Sequence, residues 1–373
     1  MRILFVSGVA TGGSARSTRE LAGALASRGH VVGALFGTTA RPRLRHVHKR
    51  AVNLSVKLER SPLQAPVMWA TGLIGRRAHP VNGAKGTDGV EAWETIVPEN
   101  SFPAVARAFR PDVVVASSID RMSWRRIRPL LAETSTPAVL YVREQNAFGH
   151  LTISRVLPDL LVTNSDAHTE HARSLGFDAV TVPSLVTFDG CIVDSTRERV
   201  LYVNPTPLYG LDVALALAHD RPDVRFRFAE STPIEPADWE PLAARVASMR
   251  NVELTHFVGD PRVLYADARV LLAPYRTNGR PRVVLEAQAN GIPVLGADLP
   301  TIREAVGPGG VVVAPDAPRA EWAGALSELI DSPERYDRYV AAARAHAARP
   351  EVDPAAIVET FERELGALVA CRA

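Results

Sequence analysis

Thiols are scarce in this chain: Cys191 and Cys371 are its two cysteines. Two are too few for a disulfide framework or a cysteine-based metal cluster, so a reducing compartment is expected, and the cytoplasm is the natural one. Lysine is almost missing as well. Lys49, Lys57 and Lys85 are the only three, so arginine carries nearly all the positive charge. No segment approaches the ~20 apolar residues a membrane-spanning helix needs. The opening Met1-Arg2-Ile3-Leu4-Phe5-Val6 is too short, and has no small-residue cleavage site, to read as a signal peptide. The net charge is only +2, which gives no molecule-wide attraction to nucleic acid, and none is expected as a partner. No Asp-x-Asp and no cluster at ligand spacing suggests a metal; His168 and His171, three apart on one helix with His150 near them, lack further ligands. No Ser-His-Asp arrangement stands out either.

What is present is a repeating alternation. At 373 residues, 46% hydrophobic and 23% charged, the chain has room for two domains that each bury a core. Short apolar runs alternate with helical patterns, the signature of a mainly parallel sheet. Arg2–Ser7 reads as a first strand, Ser14–Arg28 as a helix closed by Gly29, and His30–Phe36 as a second strand. Ala104–Phe109, Val113–Ala116, Ala138–Val142, Leu160–Thr163 and Ala167–Leu175 continue the series, which pauses over Pro183–Arg199 and starts again at Val200–Val203. The restart predicts an α/β architecture of two doubly wound, Rossmann-like domains facing across a cleft. Expected boundaries are 1–188, 189–350 and a final helical segment, 351–373, crossing back to the first domain. The stretch 41–100 fits poorly. Its basic residues (Arg41, Arg43, Arg45, His46, His48, Lys49, Arg50, Arg76, Arg77) and apolar Val67–Ile74 read either as a solvated loop with irregular helix or as an acceptor loop or shallow membrane contact. The membrane contact is not favoured.

Two turns could carry chemistry. Ser7–Ser14 joins the first strand to its helix through Gly12 and Gly13, where the backbone can approach a ligand and free amides can meet an anion. The spacing is not G-x-G-x-x-G, and no acidic residue ends the second strand, so a dinucleotide dehydrogenase is not indicated. The richer turn runs from Leu271 to Ala287. A buried strand leaves through Pro274 into a polar turn with Arg276, Asn278, Gly279 and Arg280, and a helix starts near Pro281-Arg282. Free amides of Arg282, Val283 and Val284 beside three arginines make a pyrophosphate cradle. Glu286, one turn in, could accept two hydrogen bonds from a ribose diol. Glu230, after the strand Val224–Ala229, could face a donor or simply close a turn. Phe257 could flank a nucleobase, although a core phenylalanine is the commoner reading.

Leu285-Glu286-Ala287-Gln288-Ala289-Asn290-Gly291-Ile292-Pro293-Val294 resembles the second half of the glutamate-pair motif of retaining GT-B glycosyltransferases of the group 4 type. Pro300–Gly307 with Glu304, Gly309-Gly310, the Gly12-Gly13 opening and Asn164-Ser165 are similar to further parts of that family. The resemblance implies sugar transfer from a nucleoside diphosphate sugar to a saccharide or small-molecule acceptor, retaining the anomeric configuration and using no metal or other cofactor. It places Glu286 on the donor ribose and the helix start at Arg282 and Val283 on its phosphates. Three positions depart from the pattern. Asn278 stands where the first glutamate belongs. Asn204-Pro205-Thr206-Pro207-Leu208-Tyr209-Gly210 has Tyr209 in place of a lysine. Arg143-Glu144 replaces a His-Asp pair. Asn278, Glu286, Arg143 and Glu144 are therefore the expected catalytic positions. Asn204, Pro205, Tyr209, Gly210, Glu230, Phe257 and the residues of the 276–286 turn are expected around the donor. Arg143, Arg276, Arg280 and Arg282 are candidates to replace the missing cations. The departures also suit an auxiliary protein that has lost transfer, and a sugar-nucleotide epimerase of the same fold is a third reading.

Overall fold

The computed structural model describes residues 1–38, 89–153, 156–232, 234–257 and 259–371, together with scattered positions between 47 and 80. They form two compact units. One comprises Met1–Asn164, His168–Leu185 and Ile357–Ala373; the other comprises Ser165–Ala167 and Val186–Ala356.

The first unit contains β1 (Arg2–Ser7), α1 (Gly12–Ser27), β2 (Val31–Gly37), β3 (His79–Pro80), β4 (Val90–Thr95), α2 (Pro98–Phe109), β5 (Val113–Ser117), α3 (Arg121–Glu133), β6 (Ala138–Val142), β7 (Leu160–Thr163) and β8 (Val180–Thr181), with α4 (Asp166–Ser174) between β7 and β8. Its sheet runs β3-β4-β2-β1-β5-β6-β7-β8. The pairings are parallel except for β3 against β4. Central strands such as Val113-Val114-Val115 are buried on both faces, which is why they read as continuous apolar runs.

Two elements of this unit escape the sequence pattern. Val90–Thr95 falls in the stretch read as loop and irregular helix, yet it pairs in register with β2, from Val32 beside Val90 to Gly37 beside Thr95. Glu91 and Glu94 break up its apolar run, as a strand near a sheet edge allows. Helix α3 buries Trp124, Ile127 and Leu131 at helical spacing, but Arg121, Arg125, Arg126 and Arg128 dilute that stripe. Helix α2 begins at Pro98 rather than at Ala104, with proline at its first position. Arg41, Arg43, Arg45, His46, His48, Lys49 and Arg76 lie outside the described residues.

The second unit contains β9 (Arg199–Val203), α5 (Leu211–Asp220), β10 (Arg225–Ala229), α6 (Pro236–Val246), β11 (Val252–Thr255), α7 (Pro261–Tyr265), β12 (Ala268–Ala273), α8 (Arg282–Ala289), β13 (Val294–Ala297), α9 (Pro300–Val306), β14 (Gly310–Val313), α10 (Arg319–Ile330) and α11 (Pro333–Ala347). Its sheet runs β11-β10-β9-β12-β13-β14, and every pairing is parallel. The last helix, α12 (Pro354–Ala370), belongs to the first unit from Ile357 onward. Its buried Ile357, Val358, Phe361 and Leu365 recur at helical spacing and join a core with Ile3, Phe5, Tyr141 and Leu185. The Phe361 ring lies 6.3 Å from Phe5 and 5.9 Å from Tyr141.

Each sheet reverses its strand order once, between β1 and β5 and between β9 and β12. In open α/β sheets the carboxyl ends of strands at such a reversal form the natural ligand crevice. Among the described residues no helix is long and apolar enough to cross a membrane.

Candidate functional site

In the second unit the expected donor residues follow the carboxyl ends of four adjacent strands: β9, β10, β11 and β12. The chains leaving β9 and β12 meet at the reversal point. Gly210 has φ 79°, and a Cβ there would sit 2.0 Å from the Pro274 carbonyl oxygen, so only glycine fits. The Arg276 amide donates to the Leu208 carbonyl at 3.1 Å. Tyr209 packs edge-on against Tyr275, with ring centroids 4.8 Å apart. Burial pushes the Tyr275 phenol above its ordinary value. The Arg276 guanidinium pairs with Asp212 at 2.6 Å on the exposed surface.

Asn204 and Glu230 tie the next loops together. Asn204 holds a left-handed backbone, φ 58°, a conformation asparagine tolerates better than most residues. Its side-chain oxygen accepts the Ser231 amide at 2.9 Å, the Ser231 hydroxyl at 3.0 Å and the Thr232 amide at 3.1 Å. Pro205, beside it, is buried. The buried Glu230 carboxylate accepts the Ile234 amide at 3.1 Å and the Phe257 amide at 2.8 Å, joining the loops after β10 and β11. Phe257 itself is 50% exposed, which corrects the reading of a core phenylalanine. Its backbone is held by Glu230 while its ring stays at the surface. Glu230-Ser231 resembles the family's donor-facing loop or a plain turn, whereas Thr232 carries no signal in the sequence.

The turn from β12 to α8 is the most altered by the structure. The Asn278 side-chain oxygen accepts the Thr301 hydroxyl at 2.7 Å and the Thr301 amide at 3.2 Å, and the same hydroxyl reaches the Gly279 carbonyl at 3.0 Å. Asn278 therefore caps the start of α9 from a distance. Arg280 lies 3.9 Å from Glu304. Helix α8 has Pro281 at its N-cap and no side-chain cap, and the Val284 amide turns back to the Pro281 carbonyl at 3.2 Å. The first-turn amides of Arg282 and Val283 suit an anion, as expected of that helix end. The Arg282 side chain is buried, and its Nε donates to Glu286 Oε1 at 2.5 Å. Glu286 Oε2 accepts the Tyr265 hydroxyl at 2.6 Å. Both carboxylate oxygens expected to meet a ribose are thus engaged within the protein. Tyr265, twenty-one positions before Glu286, was not legible as a partner.

The first unit assembles a smaller cluster at its own reversal. Gly12 takes φ 85°, and with Gly13 it opens α1. Arg143 is buried with its guanidinium 4.4 Å over the Tyr141 ring, and it donates to the Ser14 carbonyl at 2.5 Å and the Ser14 hydroxyl at 3.1 Å. The Ser14 hydroxyl is also hydrogen-bonded to Ser118, from the loop after β5, a residue with no sequence signal. Arg143 thus sits at the glycine turn, whereas its neighbour Glu144 is exposed. His168 is buried with its Nδ1 3.0 Å from the Asn164 side-chain oxygen; the His150 side chain lies outside the described residues.

These arrangements can be set beside known proteins. Residues 208–332, which include the β12 turn and all of α8, match the family model "Glycosyl transferases group 1". Over 100% of both chains the structure is similar to sucrose-phosphate synthase from Thermosynechococcus elongatus, at TM-score 0.75 and 14% identity. It is also similar to HepE from Anabaena, solved with UDP-glucose, at TM-score 0.71 and 15% identity over 98% of this chain and 100% of that one. The chain has the GT-B fold. The D-inositol 3-phosphate glycosyltransferase of Thermobispora bispora is 33% identical over 159 residues, 38% of this chain and 37% of that protein. Its counterpart from Streptomyces griseus is 37% identical over 117 residues, 30% of this chain and 25% of that protein. The matched stretches therefore span well under half of those relatives. Within the GT-B frame, the matched residues 208–332 lie in the unit whose four strand ends carry Asn204, Glu230, Phe257 and the β12 turn.

Proposed function

We propose that the protein transfers a sugar from a nucleoside diphosphate sugar to a saccharide or small-molecule acceptor, with retention of configuration and without a metal ion. The observation that carries this reading is the overlap of the group 1 match with the strand ends at the reversal of the second sheet. The names of the sequence relatives, D-inositol 3-phosphate glycosyltransferases, and the UDP-glucose bound by the HepE neighbour support a nucleotide-sugar donor.

In this reading the first-turn amides of α8 receive the diphosphate and Glu286 receives the ribose hydroxyls. The turn through Asn278 and Gly279 faces the transferred sugar. Binding and orientation do most of the work, and charge builds on the leaving diphosphate as the sugar takes on oxocarbenium character. The acceptor hydroxyl passes its proton to that diphosphate as the new bond forms on the face the leaving group vacates. No protein base is needed for this step. Amide dipoles at the helix start and nearby arginines take the place of a metal ion.

A thermal-unfolding screen against UDP, GDP and ADP and their sugars tests the proposal, because a ligand that binds only the folded chain raises the melting temperature by mass action. At least one nucleotide should give a saturable rise. A flat response to all of them at millimolar concentration would sink it.

A further inference from the structure

Two side chains lash three strand-end loops of the second unit together. The Asn204 side-chain oxygen ties the exit of β9 to Ser231 and Thr232 after β10. Glu230 ties that loop to the next one. Its Oε1 accepts the Ile234 amide at 3.1 Å, and its Oε2 accepts the Phe257 amide, after β11, at 2.8 Å. Glu230 is only 4% exposed. A carboxylate withdrawn from water is costly unless it is hydrogen-bonded, and here each oxygen meets a backbone amide. A glutamine in the same place has a single accepting oxygen and could hold only one of the two loops.

What this lashing presents is a ring. Phe257 is half exposed although its backbone is fixed. The residue before it is secured too: His256 is stacked on Trp239, with ring centroids 4.2 Å apart. Nearer the β9 exit, the Tyr209 ring is taken up by its packing against Tyr275. An apolar ring left in contact with water gains little from folding, but one on a fixed backbone loses little further freedom when a flat partner stacks on it. Its distance from the start of α8 also fits such a partner. The exit of β11 lies three strands from that of β12, about 14 Å at about 4.8 Å per strand. A nucleotide whose diphosphate rests on α8 reaches that far with its base.

From this geometry we infer that Glu230 is a positioning residue: by holding the loops after β10 and β11 together, it presents the Phe257 ring as a stacking platform for the nucleobase. The inference rests on the donor-site reading above and adds to it a residue that acts on the ligand through another. Stacking asks only for a flat π-face, so the platform serves purine and pyrimidine alike and leaves the choice of base to other contacts.

Calorimetric titration of UDP into the full chain tests it, with GDP or ADP in its place if thermal unfolding selects another base. Phe257→Ala should weaken binding about tenfold, the scale of one lost base–ring stack, and Phe257→Leu nearly as much, whereas Phe257→Trp should bind at least as well as wild type. Glu230→Gln should weaken binding severalfold in the wild-type chain but add little once Phe257→Ala is present, because the two act as a unit. A glutamate that merely stabilised the fold would cost the same factor in both backgrounds. Equal factors, or Phe257→Ala binding as tightly as wild type, overturn the inference. Should Glu230→Gln fail to fold, hydrogen exchange of the wild-type chain joins the Phe257 series in its place. The Phe257 amide should be protected although it lies in a loop, and exchange at the rate of an unbonded amide overturns the inference equally. Failure of the wild-type chain to bind any nucleoside diphosphate is a different outcome, which removes the donor-site reading itself.

Discussion

Asn278 and Thr301 join the β12 turn to the first turn of α9 through two hydrogen bonds, one from the hydroxyl at 2.7 Å and one from the amide at 3.2 Å. The residue that departs from the glutamate-pair pattern is thus a structural cap. Replacing Asn278 with alanine leaves a helix-start amide without its partner and should cost about 1 kcal/mol. Asn278→Asp keeps the acceptor and should hold most of that stability. Urea denaturation of the two variants beside wild type checks the order; equal losses would show that the cap contributes nothing.

Gly210 should tolerate no side chain. Its φ of 79° and the 2.0 Å approach of a built Cβ to the Pro274 carbonyl combine a conformational and a steric penalty. Gly210→Ala should destabilise the second unit by about 2 kcal/mol or more, from strain at a left-handed position together with overpacking. The lost contact between the β9 and β12 exits should also weaken nucleotide binding. A variant that melts within a degree of wild type would contradict the assignment.

His346 should make the second unit acid-sensitive. Burial, then the nearby Arg349 guanidinium, hold its imidazole below the ordinary histidine value, while its Nε2 lies 3.2 Å from the Glu304 carbonyl oxygen. In the unfolded chain the same ring accepts a proton near pH 6.5. As pH falls through that value, the unfolded state binds more protons than the folded one, so the stability present above it is lost downward toward the lower folded value. Melting temperatures between pH 7.5 and 5 should fall less steeply for His346→Gln than for wild type. Parallel curves would rule the effect out.

Phe361 should be among the most damaging positions to truncate. It is fully buried between Phe5 and Tyr141, and removing a large core aromatic costs about 3–5 kcal/mol. Phe361→Ala should lower the unfolding midpoint of the first unit first, which a tryptophan probe at Trp124 would report through its burial there.

The architecture was legible where local signals agree with it. Apolar strand runs and glycine stops after α1 and α4, at Gly29 and Gly176, mark the first βα series, and Glu286 to Val294 marks the second. Strand β4 was not legible because its glutamates mask its alternation, nor was α3, whose arginines dilute a narrow apolar stripe. Side-chain roles were harder still. The positions of Arg282 and Glu286 could be placed on one helix face by counting. Their pairing with each other, and with Tyr265 from another helix, depends on packing between distant segments. Phe257 shows the converse: nothing in its local sequence distinguishes a core ring from an exposed one.

The route of α12 bears on how the chain folds as it is made. Ile357, Phe361 and Leu365 complete a core whose other members, from Ile3 to Leu185, leave the ribosome far earlier. Domains generally fold as units in the order of synthesis. Here the first unit must wait, with an apolar groove open between Phe5 and Tyr141, while the whole second unit is translated. The second unit, whose strands and helices lie between residues 199 and 347, can close first. A chain truncated after residue 356 should therefore carry a protease-resistant C-terminal unit behind a loosely closed N-terminal one.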